Sequence, residues 1–159
     1  MKVGAAVVLQ SLAADKTHSD RRVYDDEVKL AELVEPLGFD SLWSTEHHFS
    51  DYMIVPDVIQ LMTFMAARTS RIELGSAVAV LPWHDPVRLA EQILMLDALS
   101  HGRAVVGIGR GSGALEFAGM RVPMAEAREG FEEGAAILLR ALRGEPLSHR
   151  GRFFGLPAV

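Results

Sequence analysis

Short apolar runs recur at Lys2 to Leu9, Ser41 to Ser44, Ile72 to Val80 and Arg103 to Ile108, and each is separated from the next by a stretch with helical periodicity. Their starts lie roughly thirty to forty residues apart, the separation needed when a helix carries the chain back to begin a parallel strand. This alternation constrains the fold more than any single motif does, and it predicts an α/β architecture with a parallel sheet buried beneath helices. Two arrangements satisfy it: an open doubly wound sheet, or part of an eight-stranded (β/α) barrel, which takes about 250 residues when complete. Within 159 residues only four βα units are visible. No linker divides the chain, so a single domain over residues 1–159 is expected.

The helices carry their own punctuation. A first, Tyr24 to Val34, turns Val28, Ala31, Leu33 and Val34 inward and stops at Pro36 and Gly38. Pro56 and Asp57 open a second, in which Val58, Leu61, Met62 and Met65 recur at helical spacing. Asp85 and Pro86 form the cap and first position of a third, running through Leu99 and ended by Gly102. A fourth, from about Ala125 to Leu142, has Phe131, Ala135, Leu138, Leu139 and Leu142 as its apolar face. Leu147 to Phe154, centred on Arg150 and Gly151, reads as a small hairpin.

Composition narrows the function classes. Sixteen Lys plus Arg stand against 21 Asp plus Glu, a formal net charge of -5, and no basic run is dense enough to follow a phosphate backbone. Nucleic acid is not expected as a partner. The chain has no cysteine, which rules out disulfides and thiolate metal sites and agrees with a cytoplasmic protein. The apolar start, Met1 to Gln10, is shorter than a membrane span and lacks a cleavage context, so it reads as a first buried strand and no membrane association is expected.

In either architecture, reacting groups sit beyond the carboxyl ends of the strands. The exits carry Gln10 and Ser11; then Glu46, His47 and His48; then Leu81, Pro82, Trp83 and His84; and finally Gly109, Arg110, Gly111, Ser112 and Gly113. Acid, base, aromatic and cation are thereby predicted on one face. Adjacent histidines on extended chain point to opposite sides, so one of His47 and His48 faces the mouth of the sheet and the other is structural. A histidine near its ordinary pKa takes or gives a proton near neutrality, and Glu46 is placed to orient it; a buried pair bonded to backbone is the competing reading. Glu46, His47, His48 and His84 are chemically suitable zinc or iron ligands, but their spacing matches no ligand motif, and no metal is expected.

The glycine-rich exit contains a formal Gly-x-Gly-x-x-Ala match at Gly109, Gly111 and Ala114, with Glu129 following. It comes after the fourth strand instead of the first, and Glu129 falls within a helix, so a nicotinamide site is not expected. Exposed backbone N-H groups and Arg110 nonetheless suit a phosphate; a plain surface loop is the alternative. The small residues spaced along Gly75 to Val80 would let a flat ligand approach the backbone, or would serve tight packing.

Together these segments resemble the luciferase-like flavin-dependent monooxygenases, a family that also contains deazaflavin (coenzyme F420)-dependent oxidoreductases. The resemblance is carried by Gly38 to Trp43 leading into Glu46-His47-His48-Phe49, by Arg71 to Val78 with Leu81-Pro82 and His84 to Gln92, and by Leu96 to Arg103 followed by Gly107 to Gly111. It implies a (β/α) barrel of which only about the first half is present. It also implies that His47 is the base or proton shuttle near the flavin, that Ala77 and Val78 approach the ring system across a non-prolyl cis peptide, and that Arg110, between Gly109 and Gly111, contacts the cofactor phosphate. The cofactor implied is FMN, reduced by a partner reductase, with F420 as the alternative; the partners implied are a small-molecule substrate and further subunits, identical or different. Because the chain stops where the fifth strand would begin, a fragment of a longer protein, a partner-completed half-barrel or a reduced relative is expected, and a non-catalytic flavin-binding or assembly module is the alternative of another class.

Overall fold

A computed structural model of the chain describes residues 1–11, 19–50 and 52–158. In order, the main elements are β1 (Gly4–Ala6), α1 (Asp20–Val34), β2 (Ser41–Ser44), α2 (Val58–Ala66), β3 (Glu73–Val80), α3 (Pro86–Leu99), β4 (Ala104–Gly109), α4 (Ala114–Met120), α5 (Ala127–Leu142), β5 (His149–Arg150) and β6 (Gly155–Leu156). Strands β1 to β4 form one sheet in sequential order, with β1 and β2, and β2 and β3, parallel. The βα alternation is thus realised as expected. The residues gather into two compact units, Met1–Ala79 with Leu96–Gly107, and Val80–Met95 with Ile108–Val159.

In the first unit, register explains burial. Leu42 pairs with Leu74 and both are fully buried, while Trp43 pairs with Gly75. Residues level with one another on neighbouring strands share a face. A Cβ on Gly75 would lie 2.2 Å from Trp43 Cε3, and one on Gly4 2.7 Å from Trp43 Nε1. The glycine at 75 therefore makes room for the indole, which fits the tight-packing alternative at that position. β1 is shorter than its apolar run: three residues join the ladder, although Val7 and Leu9 beyond them are buried. All six residues of β4, the other edge of the sheet, are half-exposed.

The helices of this unit start where side-chain caps place them. α1 begins at Asp20, earlier than its periodicity indicates, with Ser19 Oγ accepting from Arg22 N. Ala31 and Val34 are buried, but Leu33 is exposed, so the inward stripe is narrower than expected. Asp57 caps α2 by accepting from Gln60 N at 2.8 Å. Two charged anchors hold the end of the sheet opposite the strand exits. Glu35 accepts from the backbone of Ser70, Arg71 and Ile72, and Arg103 donates to Ser100 O, Thr69 Oγ1, Ile72 O, Ala66 O and Thr69 O.

In the second unit, a short 3-10 turn, Leu81–Trp83, precedes α3, whose cap Asp85 accepts from Val87 N and Arg88 N. The buried face of α5 is Gly130, Gly134, Ile137 and Leu138, and Leu139 is exposed, which rotates the expected apolar stripe. Gly134 faces Leu81 and Phe154, and Gly130 faces Phe153. The hairpin forms as β5 and β6, antiparallel, two residues further along than expected at its outer end. Glu133 ties it to α5 by accepting from Phe154 N, Arg152 N and Phe153 N, with His149 Nε2 2.9 Å away. Burial pushes the Glu133 carboxyl up, but these donors outweigh it and hold the group below the usual carboxylate range. Among the described residues no helix is long and apolar enough to cross a membrane.

Candidate functional site

The chain leaving β2 folds back on itself. His47 N donates to Val55 O at 2.9 Å, Thr45 Oγ1 to Met53 Sδ at 2.9 Å, and Ile54 N to Leu9 O at 3.0 Å. Inside this loop Glu46 is buried, with its side chain 1% exposed, and its Oε1 lies 2.9 Å from Nε2 of His48, itself 10% exposed. A buried carboxylate needs such a partner, because its desolvation is otherwise uncompensated. His47 is less buried than Glu46 and meets Tyr52 edge-on, with ring centroids 5.7 Å apart and planes at 84°. His48 thus has the Glu46 carboxylate and the Phe49 ring beside it, and the Tyr52 ring is among the contacts of His47.

Ala77 and Val78 sit on the adjoining strand. Most of β3 is buried, yet Ala77 is exposed and Val78 half-exposed, between buried Leu74 to Ser76 and buried Ala79 and Val80. The peptide joining them is cis. Ser44 is level with Ser76, so Ala77 stands level with the first residue beyond β2, at the strand end that leads into Glu46 and His47. This unit therefore brings His47, Ala77 and Val78 to the same end of neighbouring strands.

The remaining predicted residues belong to the second unit. Gly109 ends β4, Arg110 is exposed, and Gly111 has φ of 79°. A Cβ on Gly111 would lie 2.7 Å from Val80 Cγ1 and 3.2 Å from Phe117 Cε2, so the position needs glycine for packing as well as for backbone. Phe117, fully buried in α4, meets Trp83 edge-on at 5.4 Å. The glycine-rich stretch is consequently the lead-in to a helix that the sequence pattern does not reveal. Glu129, the residue a dinucleotide fingerprint would assign to a ribose, is ion-paired with Arg152. Among the described residues no group of three or more His, Cys, Asp or Glu is gathered so as to hold a metal ion.

Over residues 1–159 the chain matches the family described as luciferase-like monooxygenase. The chain belongs to the luciferase-like monooxygenase family. Among curated members, limonene 1,2-monooxygenase of Rhodococcus erythropolis is 34% identical over 80% of this chain and 33% of its own length. The oxygenase component of the flavin-dependent trigonelline monooxygenase of Acinetobacter baylyi is 28% identical over 87% of this chain and 39% of its own. The crystal structure of monooxygenase RslO1 from Streptomyces bottropensis superposes with a TM-score of 0.91 at 30% identity, covering all of this chain and 48% of that one. The chain therefore spans less than half the length of these luciferase-like relatives, and its four-stranded parallel sheet with helices is a partial (β/α) barrel.

Proposed function

We propose that this chain supplies the first part of the active site of a flavin-dependent monooxygenase. The observation that carries the reading is the exposed Ala77, in a mostly buried strand, level with the exit that presents His47. A methyl group and backbone there offer a flat, water-excluding surface of the kind a ring system needs. His47 would hold or move a proton on a ring nitrogen beside the reacting atoms, and Arg110, with the backbone of Gly109 and Gly111, would bind a phosphate. FMN, when bound and reduced, would supply electrons to molecular oxygen. That the trigonelline relative is the oxygenase component of a flavin-dependent monooxygenase supports a separate reductase as partner; assembly with further subunits belongs to the same reading.

Equilibrium titration with FMN and, separately, with deazaflavin F420 tests it. Tighter binding of FMN is expected, with His47→Ala lowering turnover at nearly unchanged FMN affinity and Arg110→Ala weakening affinity about 10-fold or more, the effect of losing a charged hydrogen bond. Preference for F420 would replace the monooxygenase with a deazaflavin-dependent oxidoreductase. Turnover by the mass-verified 159-residue chain without any partner would exclude a purely non-catalytic flavin-binding module.

A further inference from the structure

We infer that Tyr52 is a positioning residue for His47, holding its ring in the orientation in which it serves the flavin; the inference rests on the role proposed above for His47. The loop after β2 reverses at Phe49, a non-glycine residue with φ of 55°, and is tied across its neck by the bonds from His47 N to Val55 O and from Thr45 to Met53. That closure returns residue 52 to the side of residue 47. The buried Glu46–His48 pair fixes the segment on one side of His47. On the other, the Tyr52 ring stands at 84° to the imidazole with centroids 5.7 Å apart, inside the range in which aromatic pairs attract edge to face.

Tyr52 is itself 57% exposed, so its ring adds little to the buried core. An exposed aromatic that turns its ring against a histidine at a strand exit restricts that histidine's side-chain torsions. Its value to the protein lies in that restriction, since a misplaced proton-transfer group loses rate without losing cofactor binding.

The test uses the natural full-length protein with FMN as the probe and three variants: Tyr52→Phe, Tyr52→Leu and His47→Ala. The His47 ring-proton resonances are read by NMR, FMN affinity by titration, and the oxygen-dependent reoxidation rate of bound reduced FMN by stopped-flow absorbance. Tyr52→Phe keeps the ring and should match the wild type in all three. Tyr52→Leu should move the His47 ring protons out of the aromatic ring current and slow reoxidation about 2- to 10-fold, the range set by an aromatic pair, at unchanged FMN affinity. An unchanged His47 χ1 torsion, read from three-bond couplings, or an unchanged rate in Tyr52→Leu would overturn the inference, as would an equal loss in Tyr52→Phe. If instead His47→Ala leaves reoxidation intact, the proposed role of His47 fails, and the His47 χ1 torsion in wild type and Tyr52→Leu still decides whether Tyr52 orients that ring.

Discussion

Glu35→Gln should loosen the join between the end of α1 and the start of β3, and by an amount that depends on pH. The Glu35 carboxylate accepts from Ser70 Oγ at 2.7 Å, Ser70 N at 3.0 Å, Arg71 N at 3.0 Å and Ile72 N at 3.1 Å. Burial alone would push this carboxyl up; the donors of Arg71, Ser70 and Ile72 more than offset it and bring it from 4.5 to about 2. The folded-state value lies below the unfolded one, so the stabilisation is fully present above about 4.5 and is lost as pH falls through about 2. Unscreened, that displacement is worth about 3 kcal/mol, and solvent around a half-exposed side chain reduces it to roughly 1 to 2 kcal/mol. Glutamine keeps an acceptor but turns an amide N-H2 toward donors. Urea unfolding of wild type and variant at pH 7, 5, 4 and 3 should show a gap of about 1 to 2 kcal/mol at pH 7 that shrinks by more than half at pH 3. A gap of equal size at pH 7 and pH 3, or none at pH 7, would refute the reasoning.

Arg103→Lys should also destabilise the chain. Lysine has three donors to offer to the five bonds that Arg103 makes with Ser100, Thr69, Ile72 and Ala66, so acceptors at the end of α2 go unmet, at a cost of about 2 to 4 kcal/mol in urea unfolding; a cost under about 0.5 kcal/mol would contradict this. Gly75→Ala places a methyl against the Trp43 ring and should cost about 1 to 3 kcal/mol. In a Trp43→Ala background most of that cost should vanish, and a penalty that persists would show that something other than the indole fills the space.

Legibility followed interaction range. β2 was readable to the residue and α3 nearly so, because an apolar run between Gly38 and Glu46, and an Asp-Pro start, act through the local chain. α4 was missed: seven residues following three glycines, with Gly119 inside, carry too little periodicity to outweigh turn chemistry. The buried face of α5 differs from the apolar stripe in the sequence because Gly130 and Gly134, which add nothing to a hydrophobic pattern, lie on the buried side while Leu139 does not. At the strand exits, His47 and His48 stand out as titratable, but that His48 lies beside Glu46 and that Tyr52 meets His47 follow from a loop that reverses at Phe49, which no spacing rule announces.

The chain has two tryptophans, and they fall one in each compact unit: Trp43 spread over Gly4 and Gly75 in the first, Trp83 edge-on to Phe117 in the second. Nature has in effect installed two fluorophores with separate addresses. A pair of single-tryptophan variants would convert one spectroscopic signal into two independent clocks, showing whether the unit that carries His47 folds together with the unit that carries Arg110 or ahead of it.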